Sequence, residues 1–434
     1  MEKLVIVGGC RLRGTVAVNG AKNAALPLMA AALLTEEECV LENVPMVEDV
    51  RTMALLLAHL GCAVELDEAA HRVVIRAATL RTTDLPVALA RRMRASFLLT
   101  GPLLARCGQA RAPHPGGCAI GRRPVNVDIK GFQAMGAEVT LNEGLYSLRA
   151  PRLVGQKIYL DYPSHTGTEN LLMAACLAEG RTVIKHASAE PEVVALAEAL
   201  VQMGARIHGA GSSLIEVEGV SRLRGVRLTV LPDRLEAGTF AIAAALTGGE
   251  VVIENVCPAH MDPLTHKLLE VGAQVEEGPT WYRVTARGPL RAVELQTLPY
   301  PGFPTDLQAA FAVLLTQAVG TSLVHERVFD DRLQYTAELR KLGARISVQG
   351  QTATIEGPTP LRGAPVRALD IRSGAALILA GLVAEGVTEV LDIHHVDRGY
   401  EALDRKLAQL GARIWRVPAE TPAATVLASG APLS

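Results

Sequence analysis

The sequence predicts an α/β protein with two domains, each made of three repeats of a unit of roughly 70 residues. One observation is a glycine between a helix pattern and a strand pattern that recurs six times, as in Gln-Met-Gly-Ala-Arg-Ile at 202–207 and Lys-Leu-Gly-Ala-Arg-Ile at 341–346. The other is an Ala-rich apolar stretch of helical length that lies about forty residues before that glycine and leads into a strand pattern.

The repeat glycines are evenly spaced along almost the whole chain. They follow one another at steps of 75, 68, 68, 71 and 68 residues and are Gly61, Gly136, Gly204, Gly272, Gly343 and Gly411. Glycine at a helix C-terminus commonly takes the left-handed conformation, after which the chain turns into a strand. We therefore expect left-handed backbone at all six positions.

The apolar stretches predict buried helices, because they have no polar face. The clearest ones cover 24–34, 171–179, 239–247 and 375–385. The helix that ends at each repeat glycine is amphipathic instead. Six long units with all-apolar helices favour closed, pseudo-threefold domains with helices inside and sheets outside; the alternative is an open solenoid.

The repeat pattern breaks at two places, and these breaks predict the domain boundaries. One is Val230-Leu231-Pro232-Asp233, between the third and fourth units, and the other lies before Ala21-Lys22. We expect a first domain at 22–231, which carries the loop around Cys118. The second domain is expected to combine 1–21 with 232–434, with the N-terminal strand completing it.

The composition excludes several function classes. The net charge is −2 with 20% charged residues, so no overall field attracts nucleic acid or a membrane surface. The seven cysteines lack metal-binding spacing, and their odd number argues against a disulfide framework. The N-terminal residues lack a signal-peptide pattern, and no apolar stretch reaches the ~20 residues that span a bilayer. We expect a cytoplasmic protein that is a monomer or a weak homo-oligomer.

Eight phrases, in order along the chain, carry a resemblance to a known family. They are Asn-Gly-Ala-Lys-Asn-Ala-Ala-Leu-Pro at 19–27, Met-Arg-Ala-Ser at 93–96, Gly-Pro-Leu-Leu-Ala-Arg at 101–106, Pro-Gly-Gly-Cys-Ala-Ile-Gly at 115–121 with Arg-Pro at 123–124, Leu-Pro-Asp-Arg at 231–234, Phe-Pro-Thr-Asp at 303–306, Asp-Ile-Arg at 370–372 and Asp-Arg-Gly-Tyr-Glu at 397–401. In these phrases the chain resembles the UDP-N-acetylglucosamine 1-carboxyvinyltransferases over essentially its full length.

The resemblance implies two inside-out α/β domains of threefold internal symmetry. It also implies transfer of the enolpyruvyl group of phosphoenolpyruvate to the 3-hydroxyl of UDP-N-acetylglucosamine, with release of phosphate and without cofactor or metal. The pair His394-His395 lacks the further ligands of a metal motif, which agrees with this expectation.

The resemblance implies a catalytic set and a set of phosphoenolpyruvate ligands. The catalytic residues are Cys118, Asp306, Lys22 and Arg398, and the ligands are Lys22, Asn23, Arg123, Arg372 and Arg398, with Arg332 nearby. The resemblance implies that Cys118 is the general acid. Neighbouring arginines favour a reactive cysteine, because they favour thiolate over thiol; the alternative is an inert buried cysteine. Lys22 begins a helix, where a cation suits a bound anion, and the alternative is a solvated lysine. Asp306 is the implied general base, and the alternative is a helix N-cap.

The acceptor half of the implied site departs from the family. The implied UDP-sugar residues are Asn23, Arg94, Arg123, Pro124, Val125, Asn126, Val127, Ser164, His165, Asp306 and Val328, and the departures are Asn126, Asp128, Tyr162, His165, Thr166 and Tyr300. Asn126 can donate as well as accept a hydrogen bond, and Asp128 is expected to add negative charge near the diphosphate. Two alternatives therefore stay open: a paralogue with another nucleotide or nucleotide-sugar acceptor, and a non-catalytic binding protein.

Overall fold

The structure is a computed structural model that describes residues 2–116 and 125–429 of the 434-residue chain. Three predicted site residues, Cys118, Arg123 and Pro124, lie outside the described residues.

The strands are short and occur along the whole described chain. They are β1 Glu2–Val7, β2 Arg13–Ala17, β3 Glu38–Glu42, β4 Ala63–Asp67, β5 Arg72–Arg76, β6 Gln109–Pro113, β7 Glu138–Asn142, β8 Leu145–Arg149, β9 Lys157–Tyr159, β10 Arg181–Lys185, β11 Arg206–His208, β12 Leu214–Glu218, β13 Arg227–Thr229, β14 Glu250–Glu254, β15 Gln274–Glu277, β16 Trp281–Thr285, β17 Glu294–Gln296, β18 Gly320–His325, β19 Arg345–Gln349, β20 Thr352–Gly357, β21 Pro365–Arg367, β22 Val387–Leu391 and β23 Arg413–Pro418.

The helices alternate with these strands. They are α1 Lys22–Ala31, α2 Glu48–Leu60, α3 Val87–Ala90, α4 Thr100–Cys107, α5 Asn126–Ala134, α6 His165–Ala175, α7 Pro191–Gln202, α8 Arg234–Leu246, α9 Asp262–Glu270, α10 Thr305–Leu315, α11 Tyr335–Lys341, α12 Ile371–Val383, α13 His394–Asp397, α14 Leu403–Gln409 and α15 Ala423–Ser429, with 3₁₀ segments at Ala32–Leu34, Arg94–Leu99 and Pro258–His260.

The described chain divides into two compact units. The central unit comprises residues 20–116 and 125–231, and the split unit comprises residues 2–19 and 232–429. Each unit has its own large hydrophobic core. The core of each unit lies around three apolar helices, which are α1, α4 and α6 in the central unit and α8, α10 and α12 in the split unit.

Five sheets of the described residues share one strand order. An edge strand lies parallel to its neighbour, which is followed by two antiparallel strands: β13-β3-β5-β4, β9-β10-β12-β11, β2-β14-β16-β15, β17-β18-β20-β19 and β21-β22-β1-β23. A further sheet is β6-β8-β7, and next to β6 an isolated parallel bridge joins Asp84 to Arg111. The same strand order recurs in these sheets because the sequence pattern recurs.

The first strands of the chain complete two sheets of the split unit. β1 pairs antiparallel with both β22 and β23, and β2 pairs parallel with β14. β13 completes the first sheet of the central unit in the same way, by pairing parallel with β3. Segments far apart in sequence therefore close the repeats of each unit.

The core helices begin earlier than the apolar stretches predict. α6 begins at His165 instead of 171, α8 at Arg234 instead of 239, and α12 at Ile371 instead of 375. Apolar periodicity detects only the buried body of a helix, and the first turn of each of these helices carries polar residues. Those first turns hold many of the candidate site residues.

The prediction for the repeat glycines is confirmed. All six have positive φ, between +90° and +109°. Gly61 is the left-handed C-cap of α2 and its N–H donates to the carbonyl of Ala58, so a residue with a Cβ would be strained there.

No helix among the described residues has the length and apolar character needed to cross a membrane.

Candidate active site

Asp306 in the split unit is held by two buried arginines. Nη2 of Arg332 lies 2.8 Å from its Oδ1, and Nη2 of Arg372 lies 3.2 Å from its Oδ2. Nε of Arg372 makes a third contact with Oδ2, at 3.3 Å. Both arginine side chains are only 5% exposed, whereas Asp306 is 23% exposed. Asp306 is therefore the most exposed side chain of this group.

The helix-cap alternative for Asp306 is wrong. Asp306 is the second residue of α10, and the N-cap position belongs to Pro304, which makes no side-chain cap hydrogen bond. A carboxylate in the first turn of a helix interacts favourably with the helix dipole wherever its side chain points, so the sequence alone did not separate the two roles.

Arg372 is the second residue of α12, and a capping box fixes the turn that carries it. The carboxylate of Asp370 accepts from the backbone N–H groups of Arg372 and Ser373, and the Ser373 side chain bonds back. The Arg372 guanidinium lies 5.1 Å from the ring centroid of Tyr400, whose hydroxyl pairs with Thr239 Oγ1 at 2.8 Å. Nη1 of Arg372 is buried and has no hydrogen-bond partner in the described part of the chain, so it is a donor that a ligand can use.

A buried carboxylate organises the loop that follows β18. Glu326 is fully buried and accepts from the backbone N–H groups of Val328 at 2.8 Å and Phe329 at 3.1 Å. It also accepts from Thr305 Oγ1 at 2.9 Å, and that oxygen accepts from Arg332 Nη1 at 3.2 Å. The network fixes Val328, a residue of the predicted UDP-sugar site, and orients Arg332 towards Asp306.

Arg398 follows α13 directly and is half-buried. Burial lowers the pKa of His395, and the charges of His394 and Arg398 lower it further, so its imidazole is neutral near neutral pH. Tyr400, two residues after Arg398, lies against Arg372. The structure thus brings Asp306, Arg332 and Arg372 into direct contact and links Arg398 to them through a short piece of chain.

Lys22 in the central unit begins α1, as predicted, but it is not solvated. Its Nζ lies 3.2 Å from Oδ2 of Asp49 on α2, and the two side chains are only 10% and 6% exposed. The solvated-lysine alternative is therefore wrong. Asn23, the next residue, is half-buried. Asp49 fixes the ammonium group at the N-terminus of α1, where the helix dipole also favours an anionic ligand.

The start of α6 carries two residues of the predicted UDP-sugar site. The Ser164 hydroxyl caps the helix by accepting from a backbone N–H, and His165 Nε2 lies 3.1 Å from Glu169 Oε1. Burial alone lowers the pKa of His165, but the charge and hydrogen bond of Glu169, aided by Glu190 and Glu192, raise it to about 9. The imidazole is therefore protonated at neutral pH.

This pair makes stability depend on pH in a defined direction. The pKa of His165 is about 9 in the folded protein against 6.5 ordinarily, so its contribution is fully present below pH 6.5 and is lost as pH rises through 9. We expect His165→Gln to lower the free energy of unfolding by about 1–2 kcal/mol below pH 6.5 and by much less above pH 9. Urea unfolding of both proteins across this range checks the prediction; a pH-independent difference would contradict it.

The position of Asp128 differs from the expected one beside the diphosphate. It is only 3% exposed, and its Oδ1 accepts from Asn170 Nδ2 at 2.8 Å. Burial raises the pKa of Asp128, and the hydrogen bond from Asn170 and the charge of Arg94 oppose that rise. Asn126, two residues earlier on α5, is exposed, because positions i and i+2 of a helix point to different sides. The carboxylate therefore forms a buried polar contact between α5 and α6.

Arg94, Val125 and Val127, three residues of the predicted UDP-sugar set, lie close to this contact. A cavity of about 10 Å³, the space of roughly one water molecule, is lined by Arg94, Phe97, Leu98, Val125, Asp128 and Thr166. Val127 is buried and a Cβ on Gly167 would meet its side chain at 2.7 Å, so α5 and α6 are in close contact here. The first turns of these two helices therefore form one surface.

Sequence reasoning missed the partners that fix these side chains. Asp49, Glu169, Asn170 and Glu326 each bond a candidate residue or its backbone, and all four are buried. For Glu169 the signal was present, since it stands four residues after His165 on one helix. Asp49 and Glu326 carry no local signal, because their partners are brought close only by the tertiary fold.

Among the described residues, no cluster of three His, Cys, Asp or Glu side chains is arranged to hold a metal ion.

The chain is similar to known proteins along nearly its whole length. The family model of EPSP synthase (3-phosphoshikimate 1-carboxyvinyltransferase) matches residues 6–407. UDP-N-acetylglucosamine 1-carboxyvinyltransferase 2 of Carboxydothermus hydrogenoformans is 51% identical over 419 residues, which cover 96% of this chain and 100% of the relative. The chain belongs to this family of enolpyruvyl transferases. UDP-N-acetylglucosamine 1-carboxyvinyltransferase 1 of Caldanaerobacter subterraneus subsp. tengcongensis is 48% identical, with 95% of this chain and 99% of the relative covered.

Solved structures of enolpyruvyl transferases confirm the fold prediction. The enolpyruvyl transferase NikO from Streptomyces tendae superposes with a TM-score of 0.88 at 27% identity, over 96% of this chain and 99% of that one. EPSP synthase from Acinetobacter baumannii gives a TM-score of 0.75 at 20% identity, over 96% and 100% of the two chains, and supports the fold alone.

Proposed function

We propose that the protein transfers the enolpyruvyl group of phosphoenolpyruvate to the 3-hydroxyl of UDP-N-acetylglucosamine and releases phosphate, which is the first committed step of peptidoglycan synthesis. The observation that carries this proposal is identity of about half of all residues, along nearly the whole chain, with transferases named for that reaction. No cofactor takes part in the proposed reaction.

The proposed reaction is an addition followed by an elimination. Cys118 gives a proton to the methylene carbon of phosphoenolpyruvate, which leaves an oxocarbenium-like centre at the neighbouring carbon. The sugar hydroxyl oxygen bonds to that centre as its proton passes to Asp306. The methyl group then returns a proton to the Cys118 thiolate, the carbon–oxygen bond to phosphate breaks as phosphate leaves, and the double bond is restored. Lys22, Asn23, Arg123, Arg372 and Arg398 bind the anionic groups of phosphoenolpyruvate and stabilise the charge that develops.

The contacts of Asp306 support its role as the base. The two arginines make three contacts with the Asp306 carboxylate. These contacts fix the direction in which the carboxylate points. The partly exposed carboxylate and its two nearly buried partners are thus arranged to hold the base in one orientation.

The central unit supports binding of the acceptor. The exposed Asn126 at the start of α5 and the protonated His165 at the start of α6 both lie at helix N-termini, which favour anions. In the proposal these residues bind the UDP moiety together with Arg94, Arg123, Pro124, Val125, Val127 and Ser164, and Val328 and Asp306 contact the sugar.

A second candidate function is a paralogue with another nucleotide or nucleotide-sugar acceptor. It is favoured by the changed residues Asn126 and His165, both in the acceptor half. The deciding experiment is phosphate release from phosphoenolpyruvate with UDP-N-acetylglucosamine, other UDP and CDP sugars and free nucleotides. We expect the highest kcat/KM with UDP-N-acetylglucosamine; a clear preference for another acceptor would establish the paralogue.

Fosfomycin, an epoxide, tests the reactive state of Cys118. If a nearby cation holds this thiol as thiolate, fosfomycin alkylates it and stops turnover. We expect mass spectrometry to find one adduct, on Cys118, and Cys118→Asp to resist alkylation while keeping part of the activity. Loss of activity with modification at another cysteine would remove Cys118 from the mechanism; Cys107, which is exposed, is the internal control.

We further propose that the protein acts in the cytoplasm as a monomer or weak homo-oligomer. Its domains are proposed to be 22–231 and 1–21 plus 232–434, which corresponds closely to the two compact units.

A further inference from the structure

A six-residue segment of the split unit carries one proposed phosphoenolpyruvate ligand and contacts another. This Arg398 segment, residues 398–403, runs from the end of α13 to the first residue of α14 and contains a left-handed residue, Ala402, with φ of +50°. It carries Arg398, a proposed phosphoenolpyruvate ligand, and Tyr400, whose ring lies against Arg372. Glu401 accepts from Asn19 Nδ2 at 2.6 Å. A shift of this segment would displace Arg398 and change the contact between Tyr400 and Arg372.

One arginine outside the segment holds both of its ends. Arg416 on β23 bonds Asp397, the residue before the segment, through Nη1 at 3.0 Å and Nη2 at 2.8 Å. It also bonds Asp404, the residue after the segment, through Nη2 at 3.0 Å and Nε at 3.3 Å. A third carboxylate, from Glu2 on β1, lies 3.2 Å from Nη1.

We infer that Arg416 is a positioning residue for the phosphoenolpyruvate half of the active site, because it bridges Asp397 and Asp404 and so fixes the Arg398 segment. The inference rests on the proposed function, in which Arg398 binds phosphoenolpyruvate. Arg416 itself touches none of the proposed substrate ligands through the contacts described. It acts through the chain that it holds.

The geometry explains why this position needs arginine. The planar guanidinium bonds one carboxylate with a two-nitrogen fork and still has donors for the second, whereas the single nitrogen of lysine cannot match both. An oxygen of each aspartate contacts the same Nη2, so the two carboxylates are close together and repel each other when the guanidinium is removed. The Arg416 side chain is 25% exposed, and partly exposed ion pairs add little to global stability. Its main effect is therefore expected on the local segment.

Hydrogen exchange tests the local effect without reference to activity. The variants are Arg416→Gln and Arg416→Lys, and the control is Arg413→Gln on the same strand, where an exposed arginine donates to the Gly8 carbonyl. We expect about tenfold faster exchange in the peptide that spans 397–404 for both Arg416 variants and no change for the control. Adding Asp404→Asn to Arg416→Gln removes the repulsion and should restore part of the protection.

Binding then tests the effect on the site. We expect the dissociation constant for phosphoenolpyruvate to rise about tenfold in the Arg416 variants, while that for UDP stays within twofold of wild type. Unchanged exchange, unchanged phosphoenolpyruvate affinity, or equal losses for both ligands would overturn the inference. Failure of the proposed function is a separate result, since wild-type protein would then release no phosphate from phosphoenolpyruvate with UDP-N-acetylglucosamine.

Discussion

Replacing Asp306 by asparagine is expected to lower kcat by about 10²- to 10⁴-fold, the usual contribution of a positioned general base. The amide keeps the size of the side chain and one acceptor oxygen, but it cannot take the proton of the attacking hydroxyl. Because the base acts mainly in the transition state, the dissociation constants of phosphoenolpyruvate and UDP-N-acetylglucosamine should change much less than kcat. Single-turnover phosphate release and equilibrium binding measure the two effects separately.

Two controls separate the chemistry of Asp306 from its ion pairs. Asp84→Asn removes an exposed ion pair with Arg111 in the central unit and should leave kcat and melting temperature unchanged. Arg332→Lys keeps the charge beside Asp306 and should reduce kcat less than Asp306→Asn does. If Asp306→Asn retained near-normal turnover, Asp306 would be only an anchor for the two arginines, and another group would have to be the base.

The repeat architecture could be predicted from the sequence because each unit contains recognisable local signals. The six glycines mark helix ends. All six have the left-handed conformation in the structure, which a residue without a Cβ adopts readily. The apolar body of each core helix is also a local signal. Nothing local identifies the strands with which β1 and β2 pair, because both partners lie far along the chain, although the break in the repeat before Ala21 pointed to this arrangement.

The candidate site was predictable only in part. Lys22, Asp306 and Arg372 became candidates because they stand in phrases that the chain shares with the family. Their partners are set by tertiary packing: Asp49 reaches Lys22 from another helix, and Arg332 reaches Asp306 from a loop. The sequence also could not show that Asp128 points into the protein while Asn126 points out, because the phase of α5 depends on where that helix begins.

Arg372→Lys is expected to raise the KM for phosphoenolpyruvate by about 10- to 100-fold, with a loss of kcat as well. In the structure Nε and Nη2 of Arg372 bond Asp306, and Nη1 is buried without a partner in the described residues. An unpaired buried donor on a cation is costly unless a ligand meets it, which fits a carboxylate or phosphate oxygen of phosphoenolpyruvate.

Lysine keeps the charge of Arg372 but has one nitrogen, so it can serve either Asp306 or the substrate. The expected loss corresponds to one charge-assisted hydrogen bond, about 1.5–3 kcal/mol. The matched control is Arg367→Lys, an exposed arginine paired with Asp392, which should leave both constants unchanged. Steady-state kinetics at saturating UDP-N-acetylglucosamine measures KM and kcat for each variant. A normal KM in Arg372→Lys would mean that Nη1 does not bind phosphoenolpyruvate and that Arg372 serves only to orient Asp306.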